Sequence, residues 1–363
     1  MHHPPKVLIV KIGAIGDVIF ALPAVAALKR AVPGVRVEWL VGRACAPLLE
    51  RNTALDRVIV VNDKALFGAG LVQRIAAAAQ MRARMGRYDA VLIAHRNAAY
   101  ALAFAGSGSL FQLARSEADK AVPRVNSTVV PPGTLHESLA IQRLVNDALR
   151  SAFGKEPQTE WTWDIDYLKA PAPEQTVLRA QYVCLHIGGG QNAGVEFTLK
   201  QWPHWQQLVE KLLLVTDGGV VLVGSGADQE AGDRLVDAAP SAVRRRVVNL
   251  AGKTDLGQLA TVVSGAEFLV GCDSGPLHLA DAFGVPCVGL YGATSTVTWG
   301  LLGRRSLALS QGVPCSPCYR DNGIFPACPY SVRCMSELTV NTVRDAVHSM
   351  LDGGMPAVQP TSG

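Results

Sequence analysis

Four glycine-rich stretches carry the side chains best able to hold or move charge. The first, Lys11-Ile-Gly13-Ala-Ile-Gly16-Asp17, sets two glycines beside a carboxylate. Glycine permits a tight turn and a close approach of backbone to ligand. Asp17 sits where a helix begins, and an isolated aspartate at such a place is more often simply its cap. The second stretch is His186-Ile-Gly188-Gly189-Gly190, where consecutive glycines free backbone N–H groups to meet an anion. Lys200 follows in Phe197-Thr-Leu-Lys-Gln-Trp-Pro203 and can neutralise a phosphate, although a lone lysine near a helix start is usually just solvated. The third, Gly271-Cys-Asp273-Ser274-Gly275-Pro-Leu-His278, leads into a helix opened by Pro276, whose positive end favours negative charge. A lone histidine is most often structural; within the first turn of such a helix, His278 is better read as facing the anion. The fourth, Tyr291-Gly-Ala-Thr-Ser-Thr296, is rich in small hydroxyl residues and is expected to line the same pocket. Together these stretches describe an anion-binding pocket at the strand ends. A nicotinamide site is weakened because the first stretch reads GxxG and not GxGxxG.

Strands must position such loops. Short β-branched runs (Val7–Val10, Val35–Val41, Val58–Val61, Ala90–Ala94, Val183–Ile187, Val220–Val223, Phe268–Val270 and Cys287–Leu290) alternate with helical patterns such as Val25–Val32, Leu135–Phe153, Trp205–Val215 and Leu256–Ser264. Continuously apolar strands alternating with helices imply parallel sheets covered on both faces. Two blocks emerge, residues 1–165 and 175–345, joined by the stiff connector Lys169-Ala-Pro-Ala-Pro-Glu174. The expected architecture is α/β, two Rossmann-like domains facing each other across a cleft, with the chemistry at the carboxyl ends of the strands.

Composition narrows the classes. Of 363 residues, 49% are hydrophobic and 18% charged, which excludes intrinsic disorder. Aromatics at 6% argue against a base-stacking platform, and a net charge of +4 falls short of a nucleic-acid footprint, so no nucleic-acid partner is expected. The first residues lack the long apolar region of a signal peptide, so a cytoplasmic protein is expected. The most membrane-like stretch, Asn97–Ala114, is Ala-rich and broken by Gly106-Ser-Gly108, and reads as a buried helix followed by a turn.

The eight cysteines divide in two. Cys45, Cys184, Cys272 and Cys287 stand among apolar residues and read as core. Cys315, Cys318, Cys328 and Cys334 fall in PCSPCYRDNGIFPACPYSVRCM, a spacing that suits tetrathiolate zinc or iron in a structural role. Reduced thiols or a redox-formed disulfide are the equal alternative. Their distance along the chain from the anion-binding stretches argues against a catalytic part.

Taken together, KVLIVKIGAIGDVIFALPAVAALKRAVPGVRVEWLV, HIGGG…LKQWPHWQQLVEKL and VGCDSGPLHLADAFGVPCVGLYGATS resemble glycosyltransferase family 9, the ADP-heptose:lipopolysaccharide heptosyltransferases and their relatives. His136 in LHESLAIQRLV resembles a weaker fourth signature. The resemblance implies a GT-B fold, with the acceptor on the N-terminal half and an ADP-sugar donor on the C-terminal half. It implies that Asp17 is the general base, that Lys200 binds the donor diphosphate, and that Asp273, Ser274, Gly275 and His278 grip ribose and diphosphate beside Gly188 and Gly189. An acidic ribose contact is implied within Gly224–Glu230, either Asp228 or Glu230. The implied reaction is an inverting transfer that needs no metal cofactor, to a glycolipid or protein acceptor, with peripheral contact at the cytoplasmic face of the inner membrane. Similar cysteine loops occur in some relatives, including iron-bearing protein heptosyltransferases. His95-Arg96-Asn97 ends a strand of the acceptor half and is read either as a contact for anionic groups or as a polar helix start. Asp164-Ile-Asp166 looks like a metal–diphosphate motif but lies at the connector, away from every strand-end loop, and receives no catalytic role. The alternative to an enzyme is a sugar-nucleotide-binding scaffold on the same fold, which the joint presence of Asp17, Lys200 and His278 disfavours.

Overall fold

The computed structural model describes residues 3–62, 85–116, 118, 124–192, 195–196, 198–215, 217–319 and 325–352. The chain divides into two compact units, Met1–Tyr167 and Leu168–Gly363.

In the first unit, strands β1 (Lys6–Val10), β2 (Arg36–Gly42), β3 (Arg57–Val61), β4 (Ala90–Ile93), β5 (Ser109–Ala114) and β6 (Val125–Val129) form a sheet in the order β3-β2-β1-β4-β5-β6. Every pairing is parallel. The strand order reverses between β1 and β4, and beyond the carboxyl ends of such a pair open α/β sheets bind their ligands. Helices α1 (Ile15–Ala21) and α2 (Pro23–Ala31) follow β1, and α3 (Ala98–Ala103) follows β4. The long helix α4 (Glu137–Phe153) buries Ala140, Ile141, Leu144, Val145, Ala148 and Leu149, the single stripe that a 3.6-residue period dictates. It stops at Gly154, which takes the left-handed conformation (φ 60°) that a side chain resists.

The stretch Asn97–Ala114 corrects the sequence expectation. Only Ala98–Ala103 is helical, and Ser109–Ala114 is β5, paired with β4 on one side and β6 on the other. Leu110 to Ala114 are all buried, so the strand shows none of the alternation that would have marked it.

The second unit repeats the plan. Strands β7 (Tyr182–His186), β8 (Gly219–Val223), β9 (Val247–Asn249), β10 (Leu269–Cys272), β11 (Cys287–Tyr291) and β12 (Ser306–Ser310) lie in the order β9-β8-β7-β10-β11-β12, all parallel. Its reversal falls between β7 and β10. Helices α5 (Trp205–Val215), α6 (Gln229–Ala238), α7 (Leu256–Ser264), α8 (Gly275–Ala282) and α9 (Val340–Leu351) are among those flanking the sheet. Val183, Leu185, Trp202, Leu208, Val270 and Val343 belong to one continuous core beneath them. The connector is stitched to this unit, since Ala170 donates its N–H to Gly257 O at 3.1 Å and accepts from the Thr261 hydroxyl. No helix among the described residues is long and apolar enough to cross a membrane.

Candidate active site

In the first unit, β1 runs directly into Lys11. Its N–H extends the ladder to Leu40 O at 3.3 Å, and its carbonyl accepts from the Trp39 indole at 3.1 Å, so the backbone is fixed where the side chain leaves. That side chain is buried, and a buried ammonium is tolerable only with oxygen partners. Lys11 Nζ donates to Ala94 O at 3.0 Å and lies 3.5 Å from Glu137 Oε1 and 3.6 Å from Asp17 Oδ2. Arg96 grips the same glutamate with both arms, Nη1 to Oε1 at 3.1 Å and Nη2 to Oε2 at 2.7 Å. Burial alone would raise Glu137, but Lys11 and Arg96 more than offset it and hold the carboxyl below its ordinary range.

Asp17 is the member of this cluster that solvent reaches, with 30% of its side chain accessible against 4% for Lys11. It does not occupy the cap position. Ala14 does, and Asp17 sits in the first turn of α1, where its carboxylate accepts from the Ala14 N–H at 3.2 Å. Removal from water pushes its pKa up, and the charge of Glu137 adds to this. Lys11 is the largest opposing influence, yet the net direction is upward. A carboxylate so raised is a stronger base than a free aspartate.

The neighbouring polar residues take structural parts. His95 Nε2 accepts from the Ile12 N–H at 3.0 Å and its ring stacks on Tyr100 at 4.3 Å. Burial, then Lys11 and Arg96, push it well below its usual value, so the imidazole is neutral. Asn97 caps α3 by accepting from the Ala99 N–H at 2.9 Å, and Arg96 is engaged by Glu137. The helix-start reading of His95-Arg96-Asn97 therefore describes it better than an exposed contact for anions. His136 caps α4 through Nδ1, which accepts from the Ser138 N–H at 3.1 Å, and packs edge-on against Phe20. The residue that sequence reasoning missed is its neighbour, Glu137. An acidic residue in the first turn of a helix is an ordinary dipole partner, and nothing in the sequence marks this one as buried between two cations.

In the second unit, Lys200 Nζ donates to Asp273 O at 3.0 Å and to Asp273 Oδ2 at 2.9 Å, and His278 Nε2 lies 2.9 Å from Asp273 Oδ1. Burial would raise Asp273, but the Lys200 ammonium and the His278 hydrogen bond hold it well below the usual carboxylate range. Ser274 holds the N-cap position of α8 without a side-chain hydrogen bond to the helix, Gly275 and Pro276 follow in its first turn, and Asp273, which Lys200 contacts, directly precedes it. Ser274 Oγ lies 3.2 Å from the ring nitrogens of His186, whose pKa burial lowers to about 4 against the pull of Asp228. Gly188 and Gly189 are buried, and a Cβ on Gly188 would collide with the Asp228 carboxylate. Asp228 itself accepts from the Ser225 N–H at 2.7 Å and hydroxyl at 2.8 Å. Glu230, with 87% of its side chain exposed, pairs instead with Arg234 on the surface of α6. In the loop after β11, Thr294 is buried. Asp166 of the Asp164-x-Asp166 pair opens the turn Asp166–Leu168, where one unit gives way to the next.

Cys45, Cys184, Cys272 and Cys287 are buried, as their apolar neighbours imply. The other four cysteines share one neighbourhood: burial pushes the Cys334 thiol up to about 11, with Cys318, Cys315 and Cys328 adding to the shift. The donor chemistry suits a soft metal. Even so, among the described residues no group of three or more His, Cys, Asp or Glu side chains is placed to hold an ion, so the tetrathiolate geometry expected from the spacing is not met. The loop's distance along the chain proves a poor guide to its place in the fold. Ala293 O, just past β11, accepts from the N–H groups of Cys318 at 3.0 Å and Tyr319 at 2.9 Å. Phe325 sets its ring 5.8 Å from Lys200 Nζ, and Tyr319 stacks on Phe325 at 4.6 Å. Among the described residues of this segment, it is thus the aromatic Phe325, backed by Tyr319, that stands beside the lysine.

Residues 84–327 match the family described as glycosyltransferase family 9 (heptosyltransferase). The chain is 27% identical to lipopolysaccharide heptosyltransferase 1 of Pseudomonas aeruginosa, over 95% of this chain and 98% of that one. It is 28% identical to lipopolysaccharide heptosyltransferase 1 of Escherichia coli K12, over 82% of this chain and 90% of the relative. Among solved structures, E. coli heptosyltransferase WaaC with ADP superposes with a TM-score of 0.70 at 22% identity, covering 95% of this chain and 99% of that one.

Proposed function

The chain belongs to glycosyltransferase family 9, and on that premise we propose that it transfers heptose from ADP-heptose to a hydroxyl of a lipopolysaccharide-core acceptor, with inversion at the anomeric carbon. The first unit is read as the acceptor side and the second as the donor side. Asp17 takes the proton of the acceptor hydroxyl as its oxygen attacks, and general-base assistance of this kind contributes about 10²–10⁴ in rate. ADP leaves with its charge met by Lys200 and by the N–H groups of Ser274 and Gly275 at the start of α8. Asp273 and His278 aim the lysine; the glycines at 188 and 189 let the backbone approach the phosphates. Asp228 is read as the acidic residue of the nucleoside end, because Glu230 turns to solvent.

The observation that carries an enzyme over a binding scaffold is Asp17: a partly accessible carboxylate, raised in pKa and tied to a buried lysine, has no use in a protein that only binds a nucleotide sugar. The acceptor is read as a glycolipid met peripherally at the cytoplasmic face of the inner membrane. No step needs a metal. A structural zinc or iron ion at Cys315, Cys318, Cys328 and Cys334 is the finer reading of the cysteine loop, supported by the shared neighbourhood of the four sulfurs. It requires them to draw together, and elemental analysis of protein prepared without chelator tests it. The function itself is tested by incubating the protein with ADP-heptose and heptose-free lipopolysaccharide core. Stoichiometric ADP release with a heptosylated product is expected; ADP-heptose binding without transfer to any core acceptor would favour the scaffold.

A further inference from the structure

The first unit spends more charge on its cluster than a general base requires. Two cations and two carboxylates meet beyond β1 and β4, and only Asp17 among the four is reached appreciably by solvent. Glu137 stands at the centre. It is buried, accepts both arms of Arg96, and lies 3.5 Å from the ammonium of Lys11. That ammonium is held almost equidistant between two carboxylates, 3.5 Å from Glu137 and 3.6 Å from Asp17, while its closest contact is the Ala94 carbonyl at 3.0 Å. None of these is the short contact that a lysine with one carboxylate partner would make.

We propose that Glu137 is a positioning residue for Asp17: by sharing Lys11 and clamping Arg96, it keeps both cations from closing on the Asp17 carboxylate and so leaves that carboxylate able to accept a proton. The inference rests on the reading of Asp17 as base. Its physical ground is that an opposite charge drawn into direct contact stabilises the ionised form and weakens the base, by about one to three pKa units for a carboxylate beside a cation. The groups facing Asp17 are Lys11 from the end of β1, Arg96 from the segment after β4, Glu137 from α4, and the Ala14 N–H of its own helix start. His95, which lies beside Lys11 and Arg96, is neutral and adds no charge. With Glu137 present, two cations are balanced by two carboxylates. Without its charge, both cations answer to Asp17 alone. Burial holds the Asp17 pKa up only while that does not happen.

Two substitutions pull in opposite directions. Glu137→Gln keeps the shape but removes the charge, so the acidic limb of the pH–rate profile should move down by about one pH unit, with kcat at neutral pH falling and KM for ADP-heptose unchanged. Lys11→Gln removes the cation that lowers Asp17, and the same limb should move up. The second variant retains the Arg96–Glu137 pair, so it remains informative if a buried uncompensated arginine prevents Glu137→Gln from folding. Asp17→Asn, measured alongside, separates the two levels of the argument. If Asp17→Asn transfers heptose at the wild-type rate, the base reading fails. If Asp17→Asn is slow while the limb of each foldable variant coincides with wild type, Glu137 does not tune Asp17 and the inference is overturned.

Discussion

The two units place a lysine and an aspartate at the same topological point, beyond the strands where a 3-2-1-4-5-6 sheet reverses, and use them oppositely. Lys200 sits 2.9 Å from one carboxylate, Asp273, which also engages His278. Lys11 is divided between Asp17 at 3.6 Å and Glu137 at 3.5 Å. The consequences diverge: Asp273 is held far below the ordinary carboxylate range, whereas Asp17 is raised. Burial raises both, and Asp273 is the more deeply buried, with 6% of its side chain accessible against 30% for Asp17, so desolvation does not explain why Asp273 is the lower. What separates them is undivided possession of a cation. A carboxylate with its own lysine becomes a fixed anion that aims the ammonium at a ligand. One that must share stays basic. On the proposed reading, the same sheet plan yields an anchor in one unit and a base in the other.

Titration of ADP into variants of the second unit is the way to break that contrast. Lys200→Ala should weaken ADP most, by about 1.5–3 kcal/mol for a charge-assisted phosphate contact. His278→Ala should cost less, because the ring acts through Asp273. Asp228→Asn should cost less again, since the amide keeps one acceptor for Ser225, and Glu230→Ala should leave affinity unchanged. Equal losses across the series, or a Lys200→Ala variant with wild-type affinity, would mean that the diphosphate is not held by this lysine. Acid should act on the two aspartates in opposite senses. Asp273, depressed in the folded state, contributes stability that is present above its unfolded value and is lost as pH falls through the folded one. Asp17, raised, becomes easier to keep buried as it protonates.

Much of this was readable in the sequence, and the boundary is physical. Lys200, Asp273 and His278 announce themselves because strand-end loops with glycine, serine and proline have few other uses, and the structure gathers all three. Central strands were legible from their apolar runs. β5 was not, since a strand buried on both faces reads like a helix core. The outer strands β6, β9 and β12 were missed: Val125–Val129 and Ser306–Ser310 are half-exposed edges with little apolar signal, and Val247–Asn249 is only three residues long. Glu137 was invisible for another reason: its meaning lies in partners 126 residues away at Lys11 and 41 away at Arg96. The approach of Phe325 to Lys200 is likewise a fact of tertiary packing, which chain distance concealed.

The division of labour between the two aspartates is tested most directly by Asp17→Asn, with two quantities measured on one preparation: affinity for ADP, and the single-turnover rate of heptose transfer at saturating donor and acceptor. Asparagine can still accept from the Ala14 N–H, so the start of α1 and the melting temperature should barely change. ADP affinity should stay at the wild-type value, while the transfer rate falls by about 10²–10⁴. Transfer at the wild-type rate with intact ADP binding would contradict the account, leaving Asp17 as a helix-start residue and the base elsewhere.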